Sequence, residues 1–221
     1  MPKPQIKALF FDLDGTLLDT APDLAAALNQ VLVNHGRAAL PLKQVRPAVA
    51  EGTRGILKQG FPVDEHDVEF AALRQEYLET YARLMTKETQ LFDGMETVLD
   101  YLDNNGLPWG VVTNKPGWLA KPLLEHFKLD QRYTCLVAGD TLQTRKPDPA
   151  PLYHACNLTD ADPKQSLYIG DTQSDVQAAR SAGMYVIVAK YGYIRADYQP
   201  QLWYADGLID TPIEIIKWLT Q

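Results

Sequence analysis

Ala8-Leu9-Phe10-Phe11-Asp12-Leu13-Asp14-Gly15-Thr16 is the stretch on which the fold turns. Four consecutive apolar residues that end in a polar, glycine-containing turn read as a strand buried on both faces, the pattern of a parallel sheet. Two carboxylates one residue apart at its carboxyl end are the donor set for a hard cation facing an electrophile. Similar short aliphatic runs recur at Trp109–Val112, Cys135–Ala138, Ser166–Ile169 and Tyr185–Val188, each followed by a polar turn and a helical pattern. The alternation predicts an α/β fold, a parallel sheet covered by helices. Ligands of such sheets bind at the carboxyl ends of the strands. Asp12, Thr113 and Asp171 all fall there.

Nearly a hundred residues separate the first run from the second, far more than a single crossover helix needs. An inserted helical cap over residues 17–89 explains the gap and leaves 1–16 and 90–221 as a discontinuous core. Within the insert, Thr20 and Asp23 have capping-box spacing with Pro22 in the first turn. Leu24, Leu28, Val31 and Leu32 then share a helical face. A second helix is predicted over Val68–Leu84, with Phe70, Leu73, Tyr77, Tyr81 and Leu84 at its inner positions. Glu51-Gly52-Thr53-Arg54-Gly55 reads as a polar turn between helices, with Arg54 available to hold a substrate carboxylate in a bidentate grip.

The 221 residues are 46% hydrophobic and carry a net charge of −7 without any basic block, so nucleic acid and anionic membranes are disfavoured as partners. Met1-Pro2-Lys3-Pro4 leads straight into a strand, and no apolar run reaches bilayer length; a cytoplasmic protein, monomer or homodimer, is expected. Cys135 and Cys156 lack metal spacing and read as buried free thiols. His35, His66, His126 and His154 form no pattern that carries chemistry.

The remaining polar residues complete a site for phosphoryl transfer. A carboxylate attacks a phosphate dianion only with a divalent cation between them, and Mg²⁺ suits oxygen ligands. Asp12 and Asp171 are the natural side-chain ligands, with the Asp14 backbone carbonyl as a third. Asp14 is placed to protonate a leaving alcohol and then to deprotonate water. Thr113-Asn114 offers a hydroxyl and backbone N–H groups to phosphate oxygens. Lys146, held extended by Pro147, can aim its ammonium into the crevice. Asp175, four residues after Asp171, is either a helix N-terminal carboxylate favoured by the dipole or a partner of the same cation, directly or through water.

Asp12-x-Asp14-Gly15-Thr16, Thr113-Asn114, Lys146-Pro147 and Gly170-Asp171-x-x-x-Asp175, in that order, resemble the haloacid dehalogenase superfamily and its phosphatases in particular. The resemblance implies a modified Rossmann core with a mobile helical cap and an aspartyl-phosphate formed on Asp12. It also implies that Asp14 is the acid/base, that Thr113 and Lys146 hold the transferring phosphoryl group, and that Mg²⁺ is the cofactor. Leu91-Phe92-Asp93-Gly94-Met95, Trp109–Pro116 and Tyr191-Gly192-Tyr193-Ile194 are similar to the phosphoglycolate phosphatase group and to phosphatases of N-acetylmuramic acid 6-phosphate. The cap segment departs from the Val-Gly-x-Gly pattern of the phosphoglycolate enzymes. Within the superfamily, a sugar-phosphate mutase and a non-catalytic phosphate-binding module are the alternatives to a phosphatase of small anionic metabolites.

Overall fold

A computed structural model describes residues 5–220; Met1–Pro4, which the sequence reading ran into the first strand, lie outside them. In chain order the strands are β1 (Ala8–Phe11), β2 (Leu18–Asp19), β3 (Gln90–Leu91), β4 (Trp109–Val112), β5 (Cys135–Val137), β6 (Ser166–Gly170), β7 (Tyr185–Ala189) and β8 (Gly207–Ile209). The helices are α1 (Ala21–Asn34), α2 (Leu42–Val45), α3 (Gly52–Lys58), α4 (Val68–Leu84), α5 (Met95–Asn104), α6 (Gly117–His126), α7 (Ala150–Thr159), α8 (Gln173–Ala182) and α9 (Glu214–Thr220). The chain divides into two compact units, residues 1–18 with 91–221 and residues 19–90. No helix among the described residues is long and apolar enough to cross a membrane.

The first unit is built on a six-stranded sheet of order β5-β4-β1-β6-β7-β8, and its strand pairs are parallel. β1 lies between β4 and β6, with Phe11 level with both Val111 and Ile169. All four β1 residues are fully buried, as are Val111, Val112 and the β6 residues Leu167 to Ile169. Burial on both faces is why these strands read as unbroken apolar runs rather than alternating ones. β8 gives no such run because Leu208 is 38% exposed at the sheet edge. Cys135 and Cys156 are free and buried, and burial pushes the Cys135 thiol up to about 12.

The second unit is helical. α4 has the bounds its periodicity predicts, and Leu73, Tyr77 and Tyr81 face inward. Leu24, Leu28, Val31 and Leu32 form the buried stripe of α1, and the Tyr77 hydroxyl donates to the Leu24 carbonyl at 3.2 Å. The capping box expected at Thr20 does not form: Thr20 has helical backbone angles and makes no side-chain cap bond. Asp23 instead accepts the backbone N–H groups of Lys87, Glu88 and Thr89 and the Thr89 hydroxyl at 2.8–3.1 Å. A buried carboxylate gains more from these four donors than from the single N–H of a capping box. The segment around Arg54 is not a turn either. Arg54 lies inside α3, and Gly52, at φ +64°, marks its junction with the short 3-10 helix Arg46–Glu51.

Asp23 therefore ties the chain leaving the helical unit to the helix that enters it. Asp23→Ala strands three backbone donors and should destabilise this unit by about 2 kcal/mol, read as loss of amide exchange protection at residues 87–89. Unchanged protection would show that the carboxylate is dispensable.

Candidate active site

Because β4, β1 and β6 are neighbours, their carboxyl ends bring Thr113, Asp12 and Asp171 side by side. The Asp12 N–H donates to the Ile169 carbonyl at 2.8 Å and the Thr113 N–H to the Val137 carbonyl at 2.9 Å, so both residues continue the ladder one step past their strands. Asp12, Asp171 and Asp175 each offer a carboxylate oxygen within 4.8 Å of the others, and all three are buried. Asp12 accepts from the Leu13 N–H at 2.8 Å and pairs with Lys146 through Oδ1, leaving Oδ2 outside these bonds. Asp171 Oδ2 accepts the Tyr193 N–H at 2.7 Å, and its Oδ1 is 3.5 Å from the Thr16 hydroxyl. Gly15, at φ +84°, makes this approach possible, since a Cβ there would sit 2.2 Å from Asp171 Oδ2.

Lys146, expected to aim its ammonium into the crevice, is buried, and its ammonium lies among oxygens. Nζ is 2.7 Å from Asp175 Oδ1, 2.9 Å from Asp12 Oδ1, 2.9 Å from the Val112 carbonyl and 2.7 Å from the Tyr168 hydroxyl. The Lys146–Pro147 peptide is cis. Asn114 Nδ2 donates to the Lys146 carbonyl at 2.9 Å, so its side chain serves the lysine loop. Both oxygens of Asp175 are engaged: Oδ1 by Lys146, and Oδ2 by the Thr172 N–H at 2.9 Å and the Thr172 hydroxyl at 2.6 Å, in a capping box at the start of α8. Asp175 thus stands behind the other two carboxylates, orienting the lysine.

Burial pushes the Asp12 carboxyl up to about 6, with Asp175 and Asp14 adding to the rise and Lys146 opposing it. Burial, then the charges of Asp12 and Asp175, drives Asp171 well above the carboxylate range. Desolvation pulls Lys146 down, but the carboxylates of Asp12 and Asp175 more than reverse this and hold it protonated. One ammonium does not balance three clustered carboxylates. A divalent cation on Asp12 and Asp171 fits this all-oxygen donor set and supplies the missing charge.

Three further contributors escaped the sequence reading. Lys115 Nζ pairs with Asp14 at 2.8 and 3.0 Å. Tyr168 braces Lys146, and its hydroxyl donates to the Val112 carbonyl at 2.8 Å. The Lys190–Tyr193 turn after β7 reaches back over the aspartate turn: besides the Tyr193 N–H, the Tyr191 hydroxyl donates to the Thr16 carbonyl at 3.2 Å, and Phe92 packs on the Tyr191 ring at 4.8 Å. Lys115 directly follows Thr113-Asn114 and Tyr191 follows a predicted strand, so proximity to strand ends was the available signal. Arg54 belongs to the helical unit, where it is half-exposed and pairs with Glu65 at 3.4 Å.

Residues 9–189 match the family model for haloacid dehalogenase-like hydrolases, and the chain belongs to that family of enzymes. It is 42% identical over 210 residues to a phosphoglycolate phosphatase of Xanthomonas campestris, covering 95% of this chain and 94% of the relative. An N-acetylmuramic acid 6-phosphate phosphatase of Pseudomonas putida is 38% identical over 213 residues, 96% of each chain. A crystal structure of a predicted phosphoglycolate phosphatase from Haemophilus somnus superposes with a TM-score of 0.86 at 29% identity, over 98% of this chain and 99% of that one.

The raised carboxyls bind protons in the folded state that the unfolded chain has released. Metal-free protein should therefore lose stability as pH rises from about 4 through about 6, and stay less stable above. Asp171→Asn keeps an acceptor for the Tyr193 N–H without the charge. In metal-free protein at pH 8 it should raise the melting temperature by at least ~2 °C, the shift that roughly 1 kcal/mol produces in a chain of this size. A lower melting temperature for the variant would refute the charge argument.

Proposed function

We propose that this protein is a Mg²⁺-dependent phosphatase that hydrolyses a small anionic phosphomonoester, of the phosphoglycolate or N-acetylmuramic acid 6-phosphate type, through a phosphorylated Asp12. The observation that carries this reading is the position of Asp12: at the end of the central strand, between the Lys146 ammonium at 2.9 Å and the buried carboxylate of Asp171. The names of the relatives favour the same chemistry. Core residues 1–16 and 90–221 perform it, and a cap over 17–89 selects the substrate.

Asp12, Asp171 and the Asp14 backbone carbonyl would hold the cation, which would supply the charge that lets two anions meet. An Asp12 oxygen forms a bond to phosphorus while the ester P–O bond breaks, and Asp14 gives its proton to the departing alkoxide. Water then forms a bond to phosphorus as the P–O bond to Asp12 breaks. Asp14 takes the water's proton, and inorganic phosphate leaves. Thr113, the Asn114 backbone and Lys146 hold the phosphoryl oxygens in both steps. Asp175 keeps Lys146 aimed at Asp12. Arg54 binds the carboxylate that both substrate types carry. The same reading makes it a cytoplasmic monomer or homodimer with a small phosphorylated metabolite as its partner, in keeping with a net charge of −7.

Asp12→Asn should lower Mg²⁺-dependent phosphate release from p-nitrophenyl phosphate by at least ~10³-fold while the protein stays folded by circular dichroism. Ordinary turnover in that variant would overturn the assignment. Arg54→Ala should raise KM for the carboxylate-bearing ester roughly 10-fold or more, the value of a charged bidentate contact. Its effect on p-nitrophenyl phosphate should be smaller; equal effects on both would remove Arg54 from substrate binding.

A further inference from the structure

The ion pair between Lys115 and Asp14 joins residues 101 positions apart, and the lysine end is held by its own backbone bonds. The Lys115 N–H donates to the Thr113 hydroxyl at 3.2 Å, and the Lys115 carbonyl accepts the Gly139 N–H at 2.9 Å. The loop after β4 is locked further by Gly139, where a Cβ would stand 2.1 Å from the Asn114 carbonyl oxygen. The lysine side chain is only 5% exposed, whereas that of Asp14 is 21% exposed. A surface lysine would spread its ammonium over many rotamers. This one is delivered to a single place by a pinned backbone and a buried stem. Asp14, on the turn between β1 and β2, has one of its anchors there.

We propose that Lys115 is a positioning residue that holds the Asp14 carboxylate on the trajectory of the departing oxygen, so that the core itself selects for esters whose leaving group needs a proton. The proposal rests on the acid/base role of Asp14 given above. A displacement of about 1 Å in such a group costs on the order of 10²-fold in rate, but only where proton transfer to the leaving group is part of the step. An alkyl ester needs that transfer. p-Nitrophenolate, a stable anion, does not.

The test is kcat/KM of Lys115→Met on two esters in Mg²⁺. One is the alkyl phosphomonoester that the wild type turns over fastest among phosphoglycolate, N-acetylmuramic acid 6-phosphate and glycerol phosphate; the other is p-nitrophenyl phosphate. The alkyl ester should lose about 10²-fold, p-nitrophenyl phosphate less than a tenth of that, and inorganic phosphate should inhibit with an unchanged constant. Lys115→Arg, which keeps a cation, should regain most of the alkyl activity. In an Asp14→Asn background the further change on Lys115→Met should fall within about 3-fold, as for two residues that act as a unit. Equal losses on both esters would mean a purely structural lysine, and a tenfold weaker phosphate inhibition would put it on the phosphate instead; either overturns the proposal. Lys115→Gln serves the same comparison if the Met variant does not give a cooperative melt. A wild type without Mg²⁺-dependent release, or a fully active Asp12→Asn, would instead strike the proposed function itself.

Discussion

Everything in the first unit is arranged around an electrostatic conflict: three carboxylates buried within a few ångströms of one another. Charges leave water only when they are paired and hydrogen-bonded. Lys146 gives part of that compensation and is buried for the purpose, its ammonium fitted between Asp12, Asp175, Tyr168 and the Val112 carbonyl. What remains uncompensated shows in the upward displacement of Asp12 and Asp171. A site in this condition favours a small, highly charged cation, and with it a dianionic ligand at the open end.

The topology makes that conflict affordable in backbone terms. With β1 between β4 and β6, the chain moves from the middle of the sheet to one side and then returns to the other, so that consecutive strand ends face one crevice. Each acidic residue is then fixed by main chain rather than by long side chains. Asp12 continues the β1 ladder, and Asp171 is clasped by the Tyr193 N–H. Gly15 and Gly139 permit two close backbone approaches that any Cβ would block. Rigid placement of short side chains keeps the ordering cost of the reacting groups in the fold, where it is met once, rather than in each catalytic cycle.

The second unit has a different character. Its core includes a pair of amphipathic helices, sealed by the bonds of the buried Asp23. The Arg54–Glu65 pair is solvent-exposed on both sides, and such pairs contribute at most about 1 kcal/mol. Near relatives of this chain bear two different substrate names, a phosphoglycolate phosphatase and an N-acetylmuramic acid 6-phosphate phosphatase.

The amino-acid sequence by itself determined the elements whose signal is local: β1, β4, β6 and β7 as unbroken apolar runs, α4 from its 3-4 spacing, and the aspartates as polar residues directly after buried strands. Those readings succeed because burial on both faces, or on one stripe, is written in consecutive residues. Tertiary structure alone decided which partner each polar group took. Asp23 left its expected capping box for donors more than sixty residues away, Arg54 entered a helix, and Lys146, expected in the crevice, took Asp175, Tyr168 and the Val112 carbonyl as partners alongside Asp12. Lys115 and the Tyr191–Tyr193 turn joined the aspartates without any periodic trace. A hydrogen bond or ion pair depends on distance in space, and sequence separation carries no record of it until the sheet has brought the strand ends together.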